Sequence, residues 1–332
     1  MHISYSRESS YLRCPYLHFL RYVEGLESNK PARPLYFGSD FHKLLEVRKD
    51  PEMVKQEWKK IKEKFYELPG AWQSELGSDY PQDIRVIFQD YQRMWKGTPL
   101  PKITEKPFEL NIGYYRNEDI IFVGVIDELY KYIDKNGSKS IEIGEHKTFS
   151  MPPNMNTLVM NTQKSLYCKA AQMIWGILPR AVRWDYIKSS PAESPVWLEK
   201  SKRFSTSKSS KITPASWKRA CKEKGITDPA ILDQGEIYRG NENNFFFRVQ
   251  QDVYPQMVED VFNGFRYTCK DIIRRGPENK TKNLTRDCNF CTFRNICLAE
   301  MSGGDRAYVI EKEFTTREQR KELEVKKEDG KQ

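Results

Sequence analysis

A mixed α/β fold, a central sheet flanked by helices, is predicted by three features of this 332-residue chain. The first is a β-hairpin over residues 123–148. Two runs rich in β-branched and aromatic residues, 123–133 and 140–147, flank the turn residues Asp134-Lys135-Asn136-Gly137-Ser138. The second is strand-like alternation around the hairpin, at 104–115 pairing with 120–124, and again at 180–188. The third is a set of amphipathic helices before and after these strands, at 52–66, 84–95 and 253–274, whose apolar stripes read as core.

Composition fits that architecture. A chain that is 38% hydrophobic and 13% aromatic can fill a core for one large domain or two ordinary ones. The net charge of +9 and pI near 9.0 suit a polyanionic partner and equally suit plain solubility. No apolar run reaches the roughly 18 residues of a membrane span. The opening MHISYSRESS lacks the apolar core of a signal peptide, and a cytoplasmic location is the expectation. Seven cysteines in such a chain point to metal ligands or free thiols before disulfides.

Taken in order, Ser6 is positioned to cap a short helix over 6–14. Pro15 ends it and starts another over 15–25, so Cys14 sits at a helix junction. Residues 27–33 read as a polar loop. The run Phe37-Gly38-Ser39-Asp40-Phe41-His42 opens a helix capped by Ser39 or Asp40, with His42 in its first turn. A helix over 156–176 stops at Gly176 and puts Gln163 and Tyr167, four apart, on one face. Residues 189–224 are rich in Ser, Lys and Arg. Within them Lys202, Arg203 and Lys208 read either as phosphate contacts or as a solvated loop. Thr213 caps a helix running through Lys222. A last short strand is predicted at 307–310, followed by a charged, frayed tail at 311–332.

The hairpin carries the chemistry. Asp127, Glu145 and Lys147 stand where a buried strand should be apolar. Glu145 and Lys147 share a face, and His146 points the other way. A two-residue Asn136-Gly137 turn would set Asp127 opposite His146 and Glu128 opposite Glu145. A three-residue loop with Gly137 at positive φ sets Asp127 opposite Glu145, Val125 opposite Lys147 and Leu129 opposite Ile143. The second register avoids a Glu–Glu pair and gathers one polar cluster on an apolar face. Two adjacent carboxylates repel unless a cation lies between them, and a hard divalent ion takes oxygen ligands. With a lysine to orient the attacking water, this is the minimum equipment for metal-assisted phosphodiester hydrolysis. The bland alternative is a half-exposed hairpin with ordinary surface charges.

Near the C-terminus, Cys288, Cys291 and Cys297 form C-x₂-C-x₅-C. A metal bound there needs a fourth ligand. Cys14 or a histidine would complete a zinc site, and Cys14 would complete an iron–sulfur cluster; the spacing leaves both open. Cys168, Cys221 and Cys269 stand alone and read as free thiols.

In order, Cys14, His42, Asp127, the Glu145-x-Lys147 pair, Gln163-x₃-Tyr167 and the three clustered cysteines resemble the iron–sulfur branch of the PD-(D/E)XK nuclease superfamily. That branch includes RecB-type nuclease domains, AddB-like helicase-nucleases, CRISPR-adaptation nucleases and phage-encoded relatives. The resemblance implies a restriction-endonuclease-like fold. It also implies that Cys14, Cys288, Cys291 and Cys297 hold a [4Fe-4S] cluster. His42, Asp127, Glu145 and the backbone carbonyl of His146 would bind Mg²⁺ or Mn²⁺. Asp127, Glu145 and Lys147 would be catalytic, and Gln163 and Tyr167 would lie beside the substrate. One nuclease domain over 1–310 follows, with its core at about 36–190 and cluster segments at 1–25 and 285–300. The implied activity is that of a metal-dependent deoxyribonuclease on single-stranded DNA or DNA ends, in recombination, repair or phage DNA processing, with any helicase partner separate. A non-catalytic DNA-end-binding module using the cluster lobe is the competing reading.

Overall fold

The structure is a computed structural model and describes residues 1–319 apart from Pro31, Asp134, Asn136, Asn156 and Thr157. The centre of the predicted hairpin turn and most of the charged tail therefore lie outside the described residues. The chain begins with β1 (His2–Ile3), α1 (Tyr5–Arg13) and α2 (Pro15–His18), which runs on as a π turn through Val23, and then β2 (Leu26–Ser28). Four helices follow: α3 (Arg33–Glu46), α4 (Pro51–Tyr66), α5 (Gly70–Leu76) and α6 (Tyr80–Met94). Next come the long strands β3 (Ile103–Tyr115), β4 (Glu118–Ile133) and β5 (Lys139–Phe149), then α7 (Thr162–Trp175) and β6 (Ala181–Lys188). An excursion holds β7 (Trp197–Leu198), β8 (Arg203–Phe204), α8 (Pro214–Glu223) and α9 (Pro229–Asp233). The chain then returns with β9 (Phe246–Asp252), α10 (Pro255–Arg275), α11 (Arg294–Met301), α12 (Arg306–Glu313) and β10 (Phe314–Thr316).

The main sheet is mixed, as predicted. β4 pairs antiparallel with β3 along one edge. Its other edge is shared, by β1 in parallel at Ile121 and Phe122 and by β5 antiparallel from Glu128 onward. β5 pairs parallel with β6, and α7 supplies the crossover that parallel pairing requires. β9 closes the far edge, so the sheet draws strands from beyond 36–190 at both ends. Helices α7 and α10 cover one face over a core that includes Phe122, Trp184 and Phe265. Helices α3, α4 and α6 build a second core over the other face around Phe41, Phe88 and Ile187.

The predicted register holds. Glu128 pairs with Gly144 and Leu129 with Ile143, which is the three-residue-loop register. The ladder ends at Glu128 and Gly144, and beyond it β4 and β5 fork. At the fork a side chain replaces the missing rung: the His146 amide donates to Asp127 Oδ2 at 2.9 Å.

Strand alternation sends Glu128 and His146 to the face opposite Asp127 and Glu145. There they enter a buried ion network. Glu128 accepts from Tyr130 Oη at 2.6 Å, pairs with Arg48, and lies 2.9 Å from His146 Nε2. Asp185 takes Tyr91 Oη at 2.5 Å and Arg248 at 3.0 Å, and lies 3.5 Å from His146 Nδ1. Burial works against a charged His146, but Glu128 and Asp185 prevail and push it up to about 9. Burial also works against the Glu128 carboxylate, yet His146 and Arg48 hold it well below the usual range. Gly144 is required here, because a Cβ at that position would sit 2.8 Å from a Glu128 carboxylate oxygen.

Several predicted boundaries move. The first helix is capped by Ser4, not Ser6, through a bond from the Arg7 amide. Residues 27–33 are not all loop, since β2 pairs with β10. Helix α3 begins at Arg33, with Pro34 in its first turn, and not at Ser39 or Asp40. Phe37 and Phe41 are both fully buried one turn apart, and Asp40 is inside the helix accepting from Tyr80 Oη at 2.9 Å. Helix α7 starts at Thr162 because the Asn161 side chain caps it. Residues 307–310 are helical, not a strand: Asp305 caps α12 through the Tyr308 amide, and the strand comes next as β10. Thr213 caps α8 as predicted.

Two outcomes follow from the burial of charge. Replacing Glu128 with Ala strands Arg48 and His146 in the interior, and denaturant melts should show a loss of about 3–5 kcal/mol. Glu8, 6% exposed beneath α10, has its carboxyl pushed up to about 7 by burial. A folded value above the unfolded one makes the folded state less stable as pH rises from about 4.5 to 7. Glu8→Gln should therefore gain nothing below about pH 4.5 and up to about 3 kcal/mol above pH 7, read from urea melts across that range.

Candidate active site

The fork between β4 and β5 exposes the α7-side face of both strands. Asp127 and Glu145 lie on it, both buried, and Lys147 follows two residues on. Lys147 Nζ donates to Glu145 Oε1 at 2.6 Å and to Gln163 Oε1 at 3.0 Å, and Gln163 Nε2 donates to the same Glu145 oxygen at 2.8 Å. The predicted trio is thus tied to the predicted α7 glutamine. Tyr167, one turn further along α7, packs edge-on against Phe108 with centroids 5.8 Å apart. Gly124 keeps room for both rings: a Cβ there would meet Phe108 at 2.7 Å and the Tyr167 hydroxyl at 3.3 Å.

His42 reaches the same fork from α3. It sits in the third turn of that helix, not in the first, because the helix begins at Arg33. Its Nδ1 lies 3.1 Å from Glu105 Oε1, and its ring stands edge-on to His146 with centroids 5.8 Å apart. Ligand atoms of His42, Glu105 and Asp127 all lie within 4.8 Å of one another. Glu105 is the residue that sequence reading missed. Strand alternation over 104–115 gives it no distinct role. The Thr104–Glu128 and Lys106–Ile126 pairs place it beside Asp127, and applying the register argument to β3 and β4 would have found it.

The electrostatics follow from burial among like charges. Burial first, and Glu145 second, push Asp127 up to about 7 against the pull of His42. Burial disfavours charge on His42 and Lys147, but Glu105 and Asp127 raise the first, and Glu145 raises the second. Three carboxylates share the fork with one imidazole and one ammonium. A nitrogen-and-oxygen donor set this close, in partial burial, fits a divalent cation.

At the other end of the molecule all four predicted cluster cysteines line one cavity of about 140 Å³, with Leu17 and Leu20 in its wall. Cys14 is the extended residue between α1 and α2. Cys288 and Cys291 flank the end of a 3₁₀ turn, and Cys297 is in α11. The amides of Asn283 and Thr285 point at the sulfurs of Cys14 and Cys288, each at 3.5 Å. The space is roughly ten times the 10–15 Å³ that admits one water. Cys168, Cys221 and Cys269 are fully buried elsewhere, and burial pushes the Cys168 and Cys269 thiols up to about 12, as suits inert thiols.

Lys202, Arg203 and Lys208 are exposed on the 189–212 excursion, beside a separate small core around Trp217. Among the described residues none of the three bonds to the fork. No described helix is long and apolar enough to cross a membrane.

No curated protein matches the chain. Two solved structures are similar to parts of it. One, titled "Crystal structure of SSO0001", shares 11% identity over 79% of this chain and 94% of its own, with a TM-score of 0.32. The other, Rai1 of Scheffersomyces stipitis, shares 12% identity over 76% of this chain and 78% of its own, with a TM-score of 0.16. The family model of the PD-(D/E)XK nuclease superfamily matches residues 2–298. With the mixed sheet and the fork that bears Asp127, Glu145 and Lys147, that match means the chain belongs to the PD-(D/E)XK nuclease superfamily, enzymes that cleave phosphodiester bonds with divalent metals.

Proposed function

We propose that this protein is a Mg²⁺- or Mn²⁺-dependent deoxyribonuclease acting on single-stranded DNA or DNA ends. The observation that carries the reading is the convergence at one fork of His42, Asp127, Glu145 and Lys147, delivered by a helix and two strands. DNA as the substrate, and strands or ends within it, rest on the resemblance to RecB-type nuclease domains. So does a place in recombination, repair or phage DNA processing in the cytoplasm, alongside a separate helicase.

His42, Asp127, Glu145 and the His146 carbonyl would hold the cation, which lowers the pKa of a bound water and shields the scissile phosphate. Lys147 donates toward the nucleophile's position and compensates charge on the phosphorane-like transition state. Glu145 and Gln163 keep that ammonium aimed, since both hydrogen-bond to it. The His146 amide holds Asp127 by one oxygen and leaves the other for ligation. Gln163 and Tyr167 lie on the α7 face that overlooks the fork and line the strand's path. Lys202, Arg203 and Lys208 contact phosphates further out, where their exposure leaves them free to follow a flexible backbone.

The four cysteines bind a [4Fe-4S] cluster. The cavity is roomy for a single ion, and amide-to-sulfur contacts of the kind present at Cys14 and Cys288 are a lever on cluster potential. The cluster ties α1 and α2 to α11.

Asp127→Ala, Glu145→Ala and Lys147→Ala should each abolish Mg²⁺- or Mn²⁺-dependent digestion of end-labelled DNA while DNA binding persists. Wild-type rates in Lys147→Ala would sink the assignment, and binding without cleavage by the wild type would favour a non-catalytic end-binding module. Protein purified without oxygen should be brown, with iron and sulfide in near-equal amounts. Cys14→Ala and Cys291→Ala should bleach it and destabilise it alike, whereas Cys168→Ala should keep the colour and lose only about 1 kcal/mol. One zinc per colourless chain would refute the cluster.

A further inference from the structure

The segment that joins β5 to α7 is unlike the rest of the chain. From 148 to 163 it holds no charged residue, where a chain that is 30% charged would place about five. It does hold three of the nine methionines, Met151, Met155 and Met160. These do not feed the core. Leu158 does: it is buried in the main cluster and anchors the segment from below. The Leu158 amide donates to the Met155 carbonyl and the Asn161 amide to the Leu158 carbonyl, so the chain turns on either side of that anchor. Met151 and Met160 are left 80% and 72% exposed, and Met155 and Val159 are exposed as well. Large apolar side chains left open together are unusual on a charged surface and mark contact sites.

Both ends of this apolar lip are tied to the fork. Met151 is four residues past Lys147, at most about 14 Å along the chain, and Met160 is three before Gln163, at most about 11 Å. Lys147 Nζ donates to Gln163 Oε1 at 3.0 Å, so the two ends meet at the reacting position. A phosphodiester held at Lys147 therefore carries its neighbouring nucleotides past the lip. An uncharged surface offers nothing to their phosphates, which are bound by Lys, Arg and hydrogen-bond donors. It offers apolar contact to the faces of their bases, and a duplex hides those faces in its stack. Methionine suits such a contact, because its unbranched thioether adapts to irregular shapes. We infer that Met151, Met155 and Met160 form a base-contacting lip that favours unpaired nucleotides at the fork, whatever their sequence. The inference rests on the nuclease reading above and gives its single-strand preference a physical ground.

The test compares cleavage of two end-labelled strands of equal length by the full-length protein with Mg²⁺ or Mn²⁺. One is ordinary single-stranded DNA, and the other carries the same phosphates on abasic residues throughout. The wild type should favour the ordinary strand by about 10-fold or more in kcat/KM, the size expected from partly burying a few apolar side chains. Met151→Ser, Met155→Ser and Met160→Ser combined should cut that preference to about twofold or less. Met151→Leu, Met155→Leu and Met160→Leu combined should keep it, since leucine retains the apolar surface. Circular dichroism checks that both variants fold, as expected for exposed positions. A wild type that cleaves both strands alike would overturn the inference. So would a triple-serine variant that keeps the wild-type preference, which would leave the lip to a protein partner. Cleavage of neither strand by the wild type would overturn the single-strand nuclease reading on which the inference rests.

Discussion

Charge buried in the middle of a sheet is unfavourable unless it is paired, and this protein buries charge on both faces of the same two strands. Asp127 and Glu145 face α7, while Glu128 and His146 face α3 and α6. Each side makes the other necessary. The rear network of Arg48, Glu128, His146, Asp185 and Arg248 clamps the backbone of β5 at the residue between Glu145 and Lys147. The amide of that residue, in turn, fixes Asp127. The front cluster can leave its carboxylates short of partners because the rear one holds the strand that carries them.

What could be read from the chain, and what could not, divides by distance along it. The hairpin register was legible because turn chemistry and the choice between two faces both bear on 123–148, and the pairing of Leu129 with Ile143 agrees. Gly176 as a helix stop and Thr213 as a cap were legible for the same local reason. His146 could be assigned to the opposite face, but its partner Asp185 and the Arg48 that pairs with its other partner, Glu128, come from outside the hairpin, where no local pattern connects them. The start of α3 was misread because Gly38-Ser39-Asp40 is good capping chemistry. Burial of Phe37 and Phe41 and the Tyr80 bond to Asp40 override it. Glu105 was hidden by a strand pattern that its own backbone breaks.

Several contacts join the two terminal segments that carry the four cysteines. β2 and β10 pair antiparallel, Arg306 bridges Glu24 and Glu300, and the Tyr16 hydroxyl reaches Glu300. Phe293 stacks on Phe314 beneath them with centroids 5.3 Å apart. These contacts join the two chain segments whose four cysteines line one cavity.

That lobe joins the first part of the chain to nearly the last. Cys14 leaves the ribosome 274 residues ahead of Cys288, which at about 5–20 residues per second is tens of seconds. Until then β2 has no partner strand, and the cavity wall that carries Cys14 has no opposite side. Contacts this distant raise contact order and delay the final step of folding. A chain broken off between α7 and α11 lacks the closing half of the lobe, even though its fork is already complete in sequence. Closure of the lobe thus waits on residues nearly 290 positions downstream of β2.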